Sequence, residues 1–190
     1  TLEAATSVTA SFAPTQADLK SALSAVPAVA SPGTALAFSE TTTNQGAASA
    51  AASTTRYYLS ADRNPDASDI TLGSRSVPTL AVNASSAVNL SWIVPSATSL
   101  GTYFLVACAD SLAVIVERDE ANNCDVSAAP VTVTRADLVT TGITNPPEYI
   151  APGGSFTVTE MVTNQGQYAA LASSGRYYLS TYAVRSSTDL

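Results

Sequence analysis

Apolar and polar residues alternate with a period of two over most of this chain, the pattern of strands that bury one face. Leu36, Phe38 and Thr42 fall on one side of a predicted strand over residues 34–43, which the Pro32-Gly33 turn introduces. A strand over residues 19–26 precedes it and ends at Pro27, which cannot donate to a sheet ladder. Within residues 54–60, alternation turns Tyr57 and Leu59 inward and leaves Arg56 and Tyr58 on the outer face. Short strands are expected near residues 70–72 and 75–77. Val88, Leu90, Trp92 and Val94 alternate next, which makes Trp92 a plug between sheets. Residues 102–109 are apolar at nearly every position, as in a central strand covered on both faces. A closing strand is expected over residues 126–134. No segment has the periodicity of an amphipathic helix. Some seven strands with regular turn signals predict an all-β protein, an antiparallel sandwich of immunoglobulin-like type.

The pattern also repeats. Thr43-Asn44-Gln45-Gly46, followed by Arg56-Tyr57-Tyr58-Leu59-Ser60, returns 120 residues later as Thr163-Asn164-Gln165-Gly166 and Arg176-Tyr177-Tyr178-Leu179-Ser180. Ser31-Pro32-Gly33 matches Ala151-Pro152-Gly153, and Ala17-Asp18-Leu19 matches Ala136-Asp137-Leu138 after a one-residue slip. A fixed period is the mark of a modular array, so the expected fold class is tandem immunoglobulin-like β-sandwiches. Residues 17–135 form a complete module. Residues 136–190 supply the first three strands of a second, incomplete one. Residues 1–16 read as the last strand of a preceding module, because Val8, Ala10 and Phe12 alternate as Val131 and Val133 do. A window cut from a longer array accounts for the partial module better than completion by another chain.

One position breaks the pattern. Glu40 and its repeat Glu160 occupy sites where an apolar residue is expected. A bulge or a rim position that turns the carboxylate outward is the favoured explanation. The alternative is a buried carboxylate, which needs a partner, with Arg56 and Arg176 as the recurring arginines.

Composition narrows the function. Hydrophobic residues make up 46% of the chain and charged ones only 12%, so the outer surface is built from Ser, Thr, Asn and Ala. The net charge is −7 with a single lysine, Lys20, which leaves no basic footprint for nucleic acid or anionic lipid. No apolar run is long enough to insert in a membrane. Histidine is absent, which removes Ser-His and Cys-His catalysis, and no phosphate-binding glycine loop occurs. The chain is therefore not expected to be an enzyme or to require a cofactor. Its two cysteines, Cys108 and Cys124, do not make a zinc site. A disulfide is the favoured reading, with a free buried pair as the alternative. A disulfide implies an oxidising, extracellular compartment. For metal, the segment 62–69 offers Asp62, Asn64, Asp66 and Asp69 as calcium ligands, since hard cations want several oxygens in one turn. A solvated Asx-rich turn is the competing and favoured reading. The acidic stretch with Asp110, Glu117, Asp119, Glu120, Asn122 and Asn123 is divided in the same way between calcium and loop-fixing hydrogen bonds.

The order Asp-Leu, Pro-Gly, Asn-Gln-Gly and Tyr-Tyr-Leu-Ser continues with Gly101-Thr102-Tyr103, Cys108-Ala109-Asp110 and Glu120-Ala121-Asn122-Asn123-Cys124. Taken together it resembles the CARDB domain, a cell-adhesion-related domain found in bacteria. The resemblance covers residues 18–134 in full and 137–190 in part. It implies an immunoglobulin-like fold, tandem repetition and residence in large secreted or surface-attached bacterial proteins. The family has no defining catalytic residues. The cysteines match its Cys-Ala-Asp and Asn-Asn-Cys positions, which suggests the pair Cys108–Cys124. The expected role is a structural or adhesive segment of an extracellular stalk, fibre or filament. Its partners would be neighbouring modules in the same or adjacent chains, including a homopolymer. The alternative is a carbohydrate- or protein-binding accessory module of a secreted hydrolase, with Tyr149, Tyr168 and Tyr182 as spare aromatics.

Overall fold

The computed structural model describes residues 15–180. Residues 1–14 of the proposed strand over 1–16, the part of the second module beyond Ser180, and Tyr182 therefore lie outside the described residues. The chain divides into two units, one ending at Thr134 and the other starting at Arg135.

In the first unit the strands are β1 (Leu19–Ser24), β2 (Val29–Ala30), β3 (Ala35–Asn44), β4 (Ser53–Ser60), β5 (Ile70–Val77), β6 (Ser85–Ile93), β7 (Gly101–Cys108), β8 (Cys124–Val126) and β9 (Val131–Val133). They form a three-stranded sheet, β1-β3-β6, and a six-stranded one, β2-β9-β7-β4-β5, with β8 also on β7. All pairings are antiparallel except β2 with β9, which run parallel through Val29↔Thr132 and Ala30↔Val133. Leu36 and Phe38 from the smaller sheet meet Tyr57, Leu59, Leu105, Val131 and Val133 from the larger, all at most 3% exposed. A sheet that buries one face must pack it on another layer, and this shared apolar cluster joins the two. Trp92 is partly buried against the same cluster. A second cluster, Ala17, Leu19, Ala50, Val77, Leu80 and Ala109, closes the end where β1 begins.

The two short strands expected near residues 70–77 are one strand, β5. Its register against β4 shifts between Tyr57 and Tyr58. That irregularity switches which side chains face inward. It happens at Gly73, where the Trp92 ring lies so close that an added Cβ would sit 2.6 Å from it.

In the second unit, β10 (Leu138–Ile143) pairs antiparallel with β11 (Glu160–Asn164). The third expected strand, around Arg176-Tyr177-Tyr178, is not formed. In the first unit the equivalent strand β4 is hydrogen-bonded on both sides, to β5 and β7. Among the described residues the second unit contains only β10 and β11.

Candidate functional site

Three polar constructions interrupt the apolar core. The first is the corner at Asn44, which is fully buried. Its side-chain oxygen accepts the backbone N–H groups of Asp18 (3.2 Å) and Gly46 (3.0 Å). Its amide donates to the carbonyls of Ala48 (2.8 Å) and Leu80 (3.1 Å). The repeat follows the same plan. Asn164 accepts from Asp137 and Gly166, each at 3.0 Å, and donates to Tyr168 at 2.8 Å. The backbone N–H of Gln45 reaches Asp18 at 2.7 Å, and that of Gln165 reaches Asp137 at 2.7 Å. A buried side-chain amide satisfies both its functions only where the backbone brings donors and acceptors to it. Glycine follows for a steric reason: a Cβ on Gly46 would lie 2.4 Å from the Gln16 oxygen, and one on Gly166 would lie 2.3 Å from the Arg135 oxygen.

The second construction surrounds Glu40, and it corrects the sequence reading. Glu40 does not turn outward, since it is 1% exposed. Nor is Arg56 its partner, because alternation places Arg56 on the exposed face of β4. The partner is Arg75 of β5, whose guanidinium lies 2.7 Å from the carboxylate. Arg75 also donates to the Tyr57 hydroxyl (3.1 Å), to the Ser86 carbonyl (2.8 Å) and to the Thr42 hydroxyl (3.2 Å). Thr42 in turn donates to the other Glu40 oxygen at 2.7 Å. Tyr57 completes the cage by donating to Glu40 at 3.2 Å. Burial pushes the Tyr57 hydroxyl well above the ordinary phenol range, with Glu40 adding to the rise and Arg75 opposing it. In the second unit, desolvation and then a hydrogen bond to Glu160 raise the Tyr177 hydroxyl, so the Tyr–Glu pair recurs.

The third construction is at the head of β1. Cys108 and Cys124 lie opposite each other on β7 and β8 and are joined by a disulfide. The loop between them folds back on β1. The N–H of Arg118 donates to the Ala17 carbonyl at 2.9 Å. Fully buried Asp18 receives the Arg118 guanidinium on one oxygen and the Asn122 amide, at 2.8 Å, on the other. Glu117, 6% exposed, accepts the N–H of Leu19 and the side chain of Asn123 (3.1 Å). Burial pushes its carboxyl up to about 6, against the lowering effect of the Leu19 amide. The acidic stretch thus serves as a set of hydrogen-bond acceptors for the module's own backbone. The sequence gives no local sign of this, because the partners are about a hundred positions apart.

The remaining candidate, Asp62, Asn64, Asp66 and Asp69, forms a chain of Asx turns. Asp62 accepts the N–H of Asn64 at 2.9 Å, Asp66 accepts Ser68 through both hydroxyl (2.6 Å) and N–H (2.7 Å), and Asp69 accepts the N–H of Asp66 at 3.1 Å. The Ser68 bonds hold the Asp66 carboxyl below its usual value. These carboxylates point at nearby backbone donors rather than at a shared centre. Among the described residues, no group of three or more His, Cys, Asp or Glu side chains is arranged to hold a metal ion.

Comparison with known proteins places this architecture. Several solved structures resemble the chain. One is the CARDB domain of a Pyrococcus furiosus protein in complex with di-metal ions: 18% identity, 65% of this chain, 94% of that one, TM-score 0.48. A second is a domain of a candidate cell-surface protein from Methanosarcina acetivorans, with 20% identity, 62% and 92% coverage and a TM-score of 0.45. A β-glucosidase from Listeria innocua in complex with isofagomine is matched over 64% of this chain but only 17% of its own length, at 13% identity and a TM-score of 0.43. No curated protein matches the chain. The CARDB family model matches residues 16–127, from just before the Asp18 corner to the end of the loop that clasps it. That span is more than half of the sequence and includes all three constructions of the first unit, and the chain belongs to the CARDB family.

Proposed function

We propose that this chain is a segment of a bacterial extracellular, surface-attached protein in which immunoglobulin-like CARDB sandwiches follow one another. Its work is mechanical and adhesive, as part of a stalk, fibre or filament, and involves no catalysis. The observation that carries this reading is the doubly built asparagine corner, with the same three kinds of partner at Asn44 and at Asn164. A corner that joins the entry strand to the next one, and recurs at a fixed period, is what serial reuse of a module requires. The link between β9 and β10 is short, residues 134–137. Contacts from module to module would be heterologous and open-ended, the geometry that filaments use. The disulfide agrees with an oxidising compartment. Among the described residues no helix is long and apolar enough to cross a membrane.

The test is immunogold labelling of intact source cells with an antibody to this segment. Label on the outer surface or along fibres is expected, and label confined to the cytosol refutes the reading. The accessory-module alternative draws on Tyr149, which is 85% exposed. Glycan-array binding that disappears in Tyr149→Ala would favour that alternative.

A further inference from the structure

The loop between Cys108 and Cys124 covers the one open edge of β1. Strand β1 is the outer member of its sheet, paired on one side with β3. On the other side, the backbone N–H groups of alternate residues point away from the sheet, and each has an acceptor on residues 117–125. Leu19 donates to the Glu117 carboxylate, Ser21 to the Asn123 carbonyl at 3.4 Å, and Leu23 to the Asp125 carboxylate at 2.7 Å. An unpaired strand edge is a template for wrong pairing, and proteins cover it with a loop or with charge. Here the loop supplies a carboxylate and a carbonyl, and Asp125 on β8 adds a second carboxylate, in the register of a missing strand.

The cover holds an unfavourable conformation. Asp110 and Ala113 have φ values of 38° and 49°, in the left-handed region that non-glycine residues avoid. Asp110 Oδ1 and Asn123 Oδ1 are buried without a protein partner. Strand β8 is only three residues long, so ladder bonds alone hold the returning end of the loop weakly. The disulfide joins the two ends at their register-paired positions.

We propose that the disulfide is the lock of a redox-operated latch, and that the edge of β1 is sealed only when Cys108 and Cys124 are joined. Cys124 is exposed and Cys108 is 7% exposed, so a thiolate from solvent reaches the Cys124 sulfur first. With a dithiol as reductant, attack forms a mixed disulfide at Cys124 and expels the Cys108 thiolate, which takes up a proton. The second thiol of the reductant then displaces Cys124. Two electrons pass from the dithiol, which leaves as a disulfide, to the protein, which ends with two thiols. The freed loop no longer presents Glu117 and Asn123 to β1, and β8, no longer tied to β7 at Cys124, releases Asp125 from Leu23.

The test is residue-resolved amide hydrogen exchange by NMR on the whole chain, oxidised and after reduction with dithiothreitol. Exchange at Leu19, Ser21 and Leu23 is expected to accelerate by about tenfold or more beyond the change at Tyr57 and Leu59 in β4, which report the loss of global stability alone. Unchanged protection at Leu19, Ser21 and Leu23 overturns the proposal. So does an equal acceleration at β1 and β4, which would make the disulfide a general staple and nothing more. In the oxidised protein, Asp125→Ala is expected to accelerate Leu23 and leave Leu19 protected, and failure to do so means that the loop and β8 do not cap this edge.

Discussion

Replacing Arg75 by methionine tests the buried cage between the sheets. Glu40 is fully buried in its side chain and Arg75 is 11% exposed, so the substitution leaves a carboxylate in the core without its counter-charge. Removing one partner of a buried ion pair costs about 3–5 kcal/mol, well above the value of an exposed pair, because the remaining charge is desolvated and unpaired. Four further Arg75 hydrogen bonds, to Tyr57, to Thr42 and to both the hydroxyl and the carbonyl of Ser86, are lost with it. Changing Glu40 to methionine as well removes the stranded charge. Thr42 still has Thr55 at 3.0 Å, but Tyr57 keeps no partner in the cage, a penalty of about 1–3 kcal/mol. The double variant is therefore more stable than Arg75→Met alone, and the cycle gives a coupling of about 2 kcal/mol or more. Urea titration at neutral pH, followed by the fluorescence of Trp92, the only tryptophan, reads this unit directly. A loss below about 1 kcal/mol for Arg75→Met, or a coupling below about 0.5 kcal/mol, would show that the cage is not a tightly coupled unit.

Other outcomes follow from the same contacts. Gly46→Ala puts a Cβ 2.4 Å from the Gln16 oxygen and is expected to destabilise the first unit by about 1–3 kcal/mol in the same titration; a neutral result would mean that the corner yields easily. The Glu117 carboxyl is pushed up from 4.5 to about 6, so the folded protein keeps its proton where the unfolded chain has released it. Stability from this group is then greatest below about pH 4.5 and falls as pH rises through 6, by no more than about 1–2 kcal/mol, and comparing Glu117→Gln with the parent across pH 4–7 should remove this component. Replacing both cysteines by serine opens a loop with a sequence separation of 16 and is expected to cost about 3 kcal/mol, read as a shift in the urea midpoint without change of fold by circular dichroism.

The period of two was enough to place the main strands, the inward Tyr57 and Leu59, and the central position of β7. The repeated Asn-Gln-Gly falls at the corners built on Asn44 and Asn164. What alternation could not supply was the partner of Glu40. A register shift at Gly73 moves Arg75 to the inner face, and a pattern that assumes an unbroken pleat assigns β5 as two pieces. Arg56 recurs in both repeats, yet its parity puts it outside, and recurrence drew attention to the wrong arginine. The clasp on β1 was hidden for another reason. Asp18, Glu117 and Asn122 lie far apart in sequence, and an acidic stretch looks the same whether it binds an ion, faces water or accepts backbone N–H groups. Only the topology, which brings the turn after β7 beside the start of β1, distinguishes these.

Serial reuse of one module is tested most directly by single-molecule pulling on the full polypeptide that contains this segment. With a repeat of 120 residues, evenly spaced unfolding events are expected, each releasing ~40 nm of chain at ~3.5 Å per residue. An intact disulfide shortens the event by ~5 nm, and reduction restores that length. A single event, or increments with no common spacing, would contradict it.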